Sequence, residues 1–365
     1  MLTTAALALA LIHFGTPLAY YAYLKAKWLG RPWDVRKDPG YKPKVTVIVP
    51  THNEAKFVEK KLEDIARQSY PKELLEVVVV DSASTDGTAE IARKWAQRAP
   101  LKVAVVEEPE RRGKARALNT ALKHASGEIV VITDADATWA AEDTLERAVS
   151  WLADPRVGAV TCLKKPAGKG VAGVEEGYRN YYNALRVAES KMWATPIFHG
   201  ELAAFRRSLL EEVGGFPTDL GADDSHAATL IALKGYRAIA PEDVWSVEAV
   251  PREYHRWRIR RAQHLIQHFT RSLRLVRQSP KPFRKVLLIE AWLHLANPWL
   301  LFAASILLLA DVVSGSLLAL ALLTLGALLL AYKPYRTWVA MQLYLMAAAL
   351  RNLKTKEIAW EKEAK

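Results

Sequence analysis

Apolar and polar positions follow two alternating rhythms along the first third of the chain. Residues 45–50 (VTVIVP), 74–80, 103–106 and 128–133 are short runs dominated by Val, Ile and Leu, the pattern of strands buried on both faces of a parallel sheet. Between them apolar residues recur at helical spacing. Phe57, Val58, Leu62 and Ile65 mark a helix over 54–70, a turn-rich loop at 82–88 leads into a helix over 89–98, and Gly113 precedes one over 114–124. Strands and helices alternating at this interval predict an α/β domain with a doubly wound, mostly parallel sheet. Ligands of such sheets bind at the carboxyl ends of the strands, which puts residues 51–54, Asp81 and Asp134-Ala-Asp136 on one edge.

Longer apolar runs outside this domain predict membrane helices. Residues 2–23 are almost free of charge and long enough to cross ~30 Å of hydrocarbon. The basic residues Lys25, Lys27 and Arg31 follow that run, whereas a cleaved signal peptide has them in front, so a retained anchor is expected. Residues 286–310 and 317–332 flank a linker (311–316) without Lys or Arg and read as a transmembrane hairpin with its turn outside. The basic flanks then lie in the cytoplasm, as does the α/β domain, giving an integral protein of the plasma membrane. Glu290, His294 and Asn297 are expected to pair with one another or with His13, and Pro298 to kink its helix. Residues 337–350 are short for a span and are expected to lie at the interface, since a crossing would export Arg351, Lys354 and Lys356. The chain thus divides into an anchor (1–30), the α/β domain (43–250), basic amphipathic interface helices (251–285), the hairpin (286–332) and an interfacial helix with a basic tail (333–365).

The formal charge of +12 changes the picture through its distribution. Residues 252–285 hold eleven Lys and Arg and one acid, Glu253, so most of the surplus sits beside a membrane span and argues for no nucleic-acid partner. Trp257, Leu265, Phe269, Leu273 and Val276 recur there near helical spacing, the pattern of a helix lying on an anionic leaflet or of a solvated basic helix. Cys162 is the only cysteine, which excludes an intrachain disulfide and a cysteine-rich zinc site.

Candidate chemistry lies on the strand edge. Asp134-Ala-Asp136 is either a solvated turn or a seat for a hard divalent cation held between carboxylates and phosphates. Asp81 suits the hydroxyls or an amide of a nucleoside, and Gly113-Lys114 at a helix start offers N–H groups and an ammonium to a diphosphate. With a cation at Asp136, a nucleoside diphosphate becomes a good leaving group. The Gly-x-x-x-x-Gly-Lys-Ser/Thr loop of ATP-hydrolysing enzymes is missing. Asp223-Asp224 precedes a helix over 225–234 and is either a helix cap or the source of a general base.

In this order the motifs Pro50-Thr-His-Asn-Glu54, Asp81 with Ser84-Thr-Asp-Gly-Thr88, Gly113-Lys-Ala-Arg-Ala-Leu-Asn119, Asp134-Ala-Asp136, Gly200-Glu-Leu-Ala-Ala-Phe-Arg206, Gly214-Gly-Phe216, Asp223-Asp224 and Arg256-Trp257 resemble the family 2 glycosyltransferases of GT-A fold, on their cellulose synthase-like membrane branch. The resemblance covers roughly residues 43–275. It implies that Pro50, Glu54, Asp81, Lys114, Asp134 and Arg256 bind the nucleotide, with Glu54 and Asp81 on base and ribose and Lys114 on the diphosphate. It further implies Mg2+ or Mn2+ at Asp136 with Asp134 beside it, Asp224 as the base of an inverting transfer, and acceptor contacts from His199, Glu201, Asp223 and Trp257. Tyr178, Tyr181, Tyr182 and Trp193 line the acceptor path or belong to the core. The branch's processive members carry Gln-x-x-Arg-Trp where this chain has Glu253-Tyr-His-Arg256-Trp257. That departure favours transfer of one or a few sugars. The resemblance alone implies mannose from GDP-mannose as donor, with UDP-glucose and UDP-N-acetylglucosamine open, and the anchor, the basic helix and Trp257 favour a polyprenyl-linked sugar as acceptor. A processive synthase using a UDP-sugar and a non-catalytic sugar-nucleotide receptor are the alternatives.

Overall fold

The computed structural model describes residues 1–168 and 173–356, so the end of the expected basic tail lies outside the described residues. The chain opens with α1 (Leu2–Leu24), extended by a π-helical turn (Lys25–Leu29). The first half of the α/β domain is β1 (Val45–Thr51), α2 (Val58–Ala66), β2 (Leu75–Ser82), α3 (Thr88–Ala96), β3 (Lys102–Glu108), α4 (Lys114–Leu122) and β4 (Ile129–Ile132). The second half runs through β5 (Thr138–Trp139), α5 (Thr144–Ser150), β6 (Val157–Thr161), β7 (Leu163–Pro166), α6 (Val174–Met192), β8 (Ala203–Arg206), α7 (Arg207–Glu212), α8 (Asp223–Leu233), β9 (Arg237–Ile239) and β10 (Trp245–Glu248). Five helices follow: α9 (Tyr254–Leu275), α10 (Lys281–Leu295), α11 (Asn297–Val313), α12 (Leu317–Leu329) and α13 (Lys333–Lys354).

The main sheet has the order β3-β2-β1-β4-β8-β6-β9. β1 to β4 are mutually parallel, and β8 runs antiparallel to both β4 and β6. Alternation along each strand sends side chains to opposite faces. Ile48, Val78, Val80, Val130 and Ile132 enter one core with α4, α6 and α8, while Val47, Val49, Val77, Val79 and Val131 enter the other with Leu62, Ile65 and Leu145 of α2 and α5. Burial of each such side chain stabilises the fold by about 1.5–3 kcal/mol relative to exposure. Gly127 permits the tight entry to β4, because a Cβ there would lie 2.5 Å from the Thr46 backbone nitrogen. A second sheet, β5-β10-β7, was not expected; its strands of two to four residues are too short to carry a readable period.

The helix expected over 54–70 starts only at Val58. Side chains of the neighbouring loop take the preceding backbone donors: Ser84 Oγ accepts from Asn53 N at 2.8 Å, Thr88 Oγ1 from Glu54 N at 2.8 Å, and Asp86 from Ala55 N at 3.1 Å. Asn53 adopts a positive φ of 55° to make this crossing, which pins the β1 and β2 loops together at the sheet edge.

Among the described residues two helices are long and apolar enough to cross a membrane, Leu2–Leu29 and Lys281–Val313. The second breaks at Ala296 and restarts at Asn297-Pro298, where a proline in the first turn forfeits no hydrogen bond. The buried His13 Nδ1 lies 2.9 Å from the Asn297 carbonyl, as expected from their positions, and Glu290 pairs with Arg186 of α6 at 3.2 Å. α12 has 13 residues, about 20 Å at 1.5 Å per residue, against a hydrocarbon thickness of ~30 Å. Tyr332 between them is extended (φ -80°, ψ 116°), and α13 leaves α12 at 102°. Only together, across that bend, do the two match a span in length and hydropathy.

α9 differs from the amphipathic helix expected to rest on a leaflet. Its inward face, including Trp257, Arg258, His264, Phe269 and Ser272, is buried. α13 covers part of α9 through His255 to Tyr344 at 2.6 Å and Gln267 to Asn352 at 3.1 Å. Two of its arginines, Arg258 and Arg261, point into the protein, where Glu175 and Glu248 supply the counter-charge.

Candidate active site

A cavity of about 300 Å³ opens where the carboxyl ends of β1 and β4 meet α8, α9 and α13. Parallel register creates its rim: Thr51 of β1 lies level with Asp81 of β2, and β4 ends at Ile132 beside Ile48. Pro50, Glu54, Lys114, Asp134, Asp136, His199, Glu201, Asp223, Asp224 and Trp257 all line this one space, so sequence-distant candidates converge.

Lys114 opens α4, and its Nζ lies 2.5 Å from Asp134 Oδ1. Burial disfavours the ammonium, but Asp134, Asp223 and Asp224 more than offset it and hold Lys114 charged above the ordinary lysine range. The approach depends on Gly200, where a Cβ would sit 2.6 Å from Nζ. Gly200 O in turn accepts from Asp134 N at 2.9 Å, locking the β4 end to the 199–201 turn.

Asp223 and Asp224 occupy the first turn of α8 and are almost fully buried. Asp224 Oδ1 accepts from Ser225 N at 2.6 Å, while Ser225 Oγ accepts from Phe198 N at 3.0 Å and ties α8 to the 198–199 segment. Burial and then the neighbouring Asp223 push Asp224 up to about 7, and burial raises Asp223 as well. A carboxylate poised near neutrality suits proton abstraction from a hydroxyl. The N-cap of α8 is Ala222, and the amide that Asp224 binds belongs to the first turn, so Asp224 helps to close the helix start as well as facing the cavity.

The opposite wall is an ion-pair network. Lys164 of β7 contacts Glu201 and lies 3.0 Å from Glu248; Arg179 of α6 bridges Glu175 at 2.7 Å and Glu248 at 2.6 Å; Arg258 joins Glu175, and Arg261 joins Glu248. Burial and the cations Lys164, Arg179 and Arg261 keep His199 well below its usual pKa, hence neutral. Buried atoms of His199 (Nδ1), Glu201 (Oε2) and Asp223 (Oδ2) have no partner among the described residues, which suits a hydroxyl-bearing ligand.

Several sequence expectations need revision. Asp81 is buried beneath the rim, outside the cavity lining, because Thr51 and Ser84 occupy its oxygens at 2.5–3.0 Å; its neighbour Ser82 reaches the cavity. Arg256 is half exposed, 3.5 Å from Glu253, and does not line the cavity; one helical turn on, Arg260 and Arg261 do. Tyr178 and Tyr182 line it, whereas Tyr181 and Trp193 pack against the core. Trp257 is buried and lines the cavity, with Arg258 and Arg261 over its ring at 5.0 and 5.1 Å. Sequence inspection missed Arg111, Arg258, Arg260 and Arg261. For α9 the available signal was position three and four residues beyond Trp257, on the same helical face.

A divalent cation fits the strand-edge half of the cavity. Glu54, Asp134, Asp136, Asp223 and Asp224 face it against Arg111 and Lys114, so an incoming diphosphate needs further positive charge. Among the described residues no three His, Cys, Asp or Glu form a metal cage. Mg2+-type ions accept one or two carboxylates plus phosphate oxygens and water. Asp136, which lines the cavity, would offer a carboxylate to such a set, and Asp134 is held by Lys114.

The mixed sheet with carboxylates gathered at its strand edge has the layout of a GT-A-type transferase. The Glycosyl transferase family 2 domain matches residues 46–214. The chain is 61% identical to a mannosyltransferase, PcManGT of Pyrobaculum calidifontis, solved with GDP-mannose and Mn2+; the superposition covers 97% of this chain and 99% of that one, with a TM-score of 0.90. It is 31% identical to the glycosyltransferase AglE of Haloferax volcanii over 206 residues, 55% of this chain and 66% of AglE. It is 38% identical to the Staphylococcus aureus poly(ribitol-phosphate) β-N-acetylglucosaminyltransferase TarS over 130 residues, 36% of this chain and 22% of TarS. This chain therefore matches less than two thirds of the length of AglE and TarS. The TarS 1–349 structure with UDP, at 20% identity and a TM-score of 0.50 over 86% of this chain and 92% of that one, shares the fold. The chain belongs to glycosyl transferase family 2 and is a glycosyltransferase.

Proposed function

We propose that the protein is an inverting, Mg2+- or Mn2+-dependent membrane mannosyltransferase that moves mannose from GDP-mannose to a lipid-linked sugar at the cytoplasmic face of the plasma membrane. The observation that carries the donor assignment is the 61% identity, along nearly the whole chain, to a mannosyltransferase solved with GDP-mannose and Mn2+. Pro50 and Glu54 border the nucleotide, with Asp81 bracing the Ser84 loop from beneath. Lys114 and Asp134 face the diphosphate, and Asp136 holds the cation. The bound cation neutralises charge on the departing GDP. Asp224 takes the proton of the acceptor hydroxyl as its oxygen bonds to the anomeric carbon from the face opposite the leaving group. The bond from that carbon to the diphosphate oxygen breaks, and the electron pair leaves with GDP. His199, Glu201 and Asp223 present hydrogen-bonding atoms to the acceptor, and Trp257 offers it a wall.

Membrane residence is supported by the two long apolar helices and by exposed Leu11, Leu18, Leu317 and Leu328, each at least 65% exposed. Lys25, Lys27 and Arg31 after the first helix favour a cytoplasmic catalytic domain. Incubation of the purified protein with Mn2+, a membrane lipid extract and labelled GDP- and UDP-sugars tests the assignment. Label from GDP-mannose is expected in an organic-extractable product; transfer from a UDP-sugar alone would overturn the donor.

A further inference from the structure

Charge is segregated within the cavity. Carboxylates crowd the strand edge, whereas the wall built by β7, β10, α6 and α9 carries four cations, Lys164, Arg179, Arg258 and Arg261, against three carboxylates, Glu175, Glu201 and Glu248. A proton passing from Lys164 to Glu201 leaves that surplus unchanged. All of these side chains are buried except Arg261, which is 30% exposed and carries the excess to the cavity surface. Among the described residues both of its ion-pair contacts run through Nη1, so the other N–H groups of its guanidinium can serve a ligand. Arg260, the preceding residue, lines the same wall. Leu265 of α9 and Met341 and Leu345 of α13 line the same cavity and give it an apolar side.

We propose that Arg260 and Arg261 form a subsite for the phosphate of an isoprenoid phosphate-linked acceptor, whose sugar hydroxyl faces Asp224 and whose hydrocarbon leaves past Leu265 and Leu345. This rests on the lipid-linked transfer proposed above and adds to it the group by which the acceptor is held. The arrangement separates two anions: the donor diphosphate binds with its cation at Asp136 and Lys114, and the acceptor phosphate binds to guanidinium groups, which match phosphate oxygens in pairs. A lipid phosphate as the attacking group is disfavoured, because Asp223 and Asp224 would repel it and an anionic nucleophile needs no base.

The test is binding of citronellyl phosphate, citronellol and inorganic phosphate to the full-length protein in detergent, saturated with GDP and Mn2+ and followed by tryptophan fluorescence. Citronellyl phosphate is expected to bind about tenfold or more tightly than citronellol, the yield of one charge-assisted hydrogen bond, and more tightly than inorganic phosphate. Arg261→Gln should erase the preference while GDP affinity stays within about twofold, as expected for a group outside the donor subsite. Arg260→Gln should reduce it as well and covers the case in which the first variant does not fold. Equal binding of citronellol or inorganic phosphate, or displacement of citronellyl phosphate by GDP, would overturn the proposal. Because no turnover is needed, this outcome is independent of mannose transfer, and failure to bind GDP would instead count against the donor assignment.

Discussion

Lys114 Nζ lies 2.5 Å from Asp134 Oδ1, packed so closely against Gly200 that a Cβ at that glycine would fall 2.6 Å from the nitrogen. The obstructed atom is the end of a flexible side chain, so Gly200→Ala should fold and displace the ammonium. A rise in donor KM of about 10- to 100-fold is expected, the worth of a charge-assisted hydrogen bond, with little change in unfolding temperature. An unchanged donor KM would remove Lys114 from the diphosphate site.

Asp224 must be ionised to accept a proton, and it is held up to about 7. kcat/KM should therefore fall as pH drops through 7 and level off above it. The sign for stability is opposite. A carboxyl raised in the folded state favours folding while protonated, and that advantage is lost as pH rises from its unfolded value through about 7. Asp224→Asn should raise the unfolding temperature relative to wild type more at pH 8 than at pH 5, as thermal scans at the two values would show.

Asp136 is the one carboxylate assigned to the cation. Chelation should abolish transfer in the wild type, and Mn2+ or Mg2+ should restore it. In Asp136→Ala, calorimetry should find donor binding weakened and insensitive to added Mn2+; a retained metal response would place the ion elsewhere.

Glu248 joins Lys164, Arg179 and Arg261 inside the protein. Glu248→Gln leaves buried cations undercompensated, and a loss of about 3–5 kcal/mol is expected in detergent-solubilised protein. A loss below 1 kcal/mol would mean that water already reaches the network.

The strands and the acidic edge were legible because buried parallel strands are written as apolar runs whose polar ends cannot lie elsewhere. Val45, Leu75 and Ile129 begin strands that pair as the runs implied. Asp136 could be assigned to the rim for the same reason, whereas Asp224, in the first turn of α8, was assigned through the family resemblance. Arg256 and Asp81 could not be placed correctly from sequence, because side-chain direction depends on neighbours distant in the chain: Glu175 and Glu248 draw Arg258 and Arg261 inward, and Ser84 turns Asp81 away from the cavity. The basic segment 252–285 looked uniformly surface-bound because its buried counter-charges lie in α6 and β10.

The central claim is that Asp224 is the base of mannose transfer from GDP-mannose. Its most direct test is the comparison of wild type and Asp224→Asn with labelled GDP-mannose, Mn2+ and a membrane lipid extract, with donor affinity measured in parallel. Transfer into organic-extractable product should fall by about 10²- to 10⁴-fold in the variant while GDP-mannose still binds. Equal product from both proteins would contradict the claim.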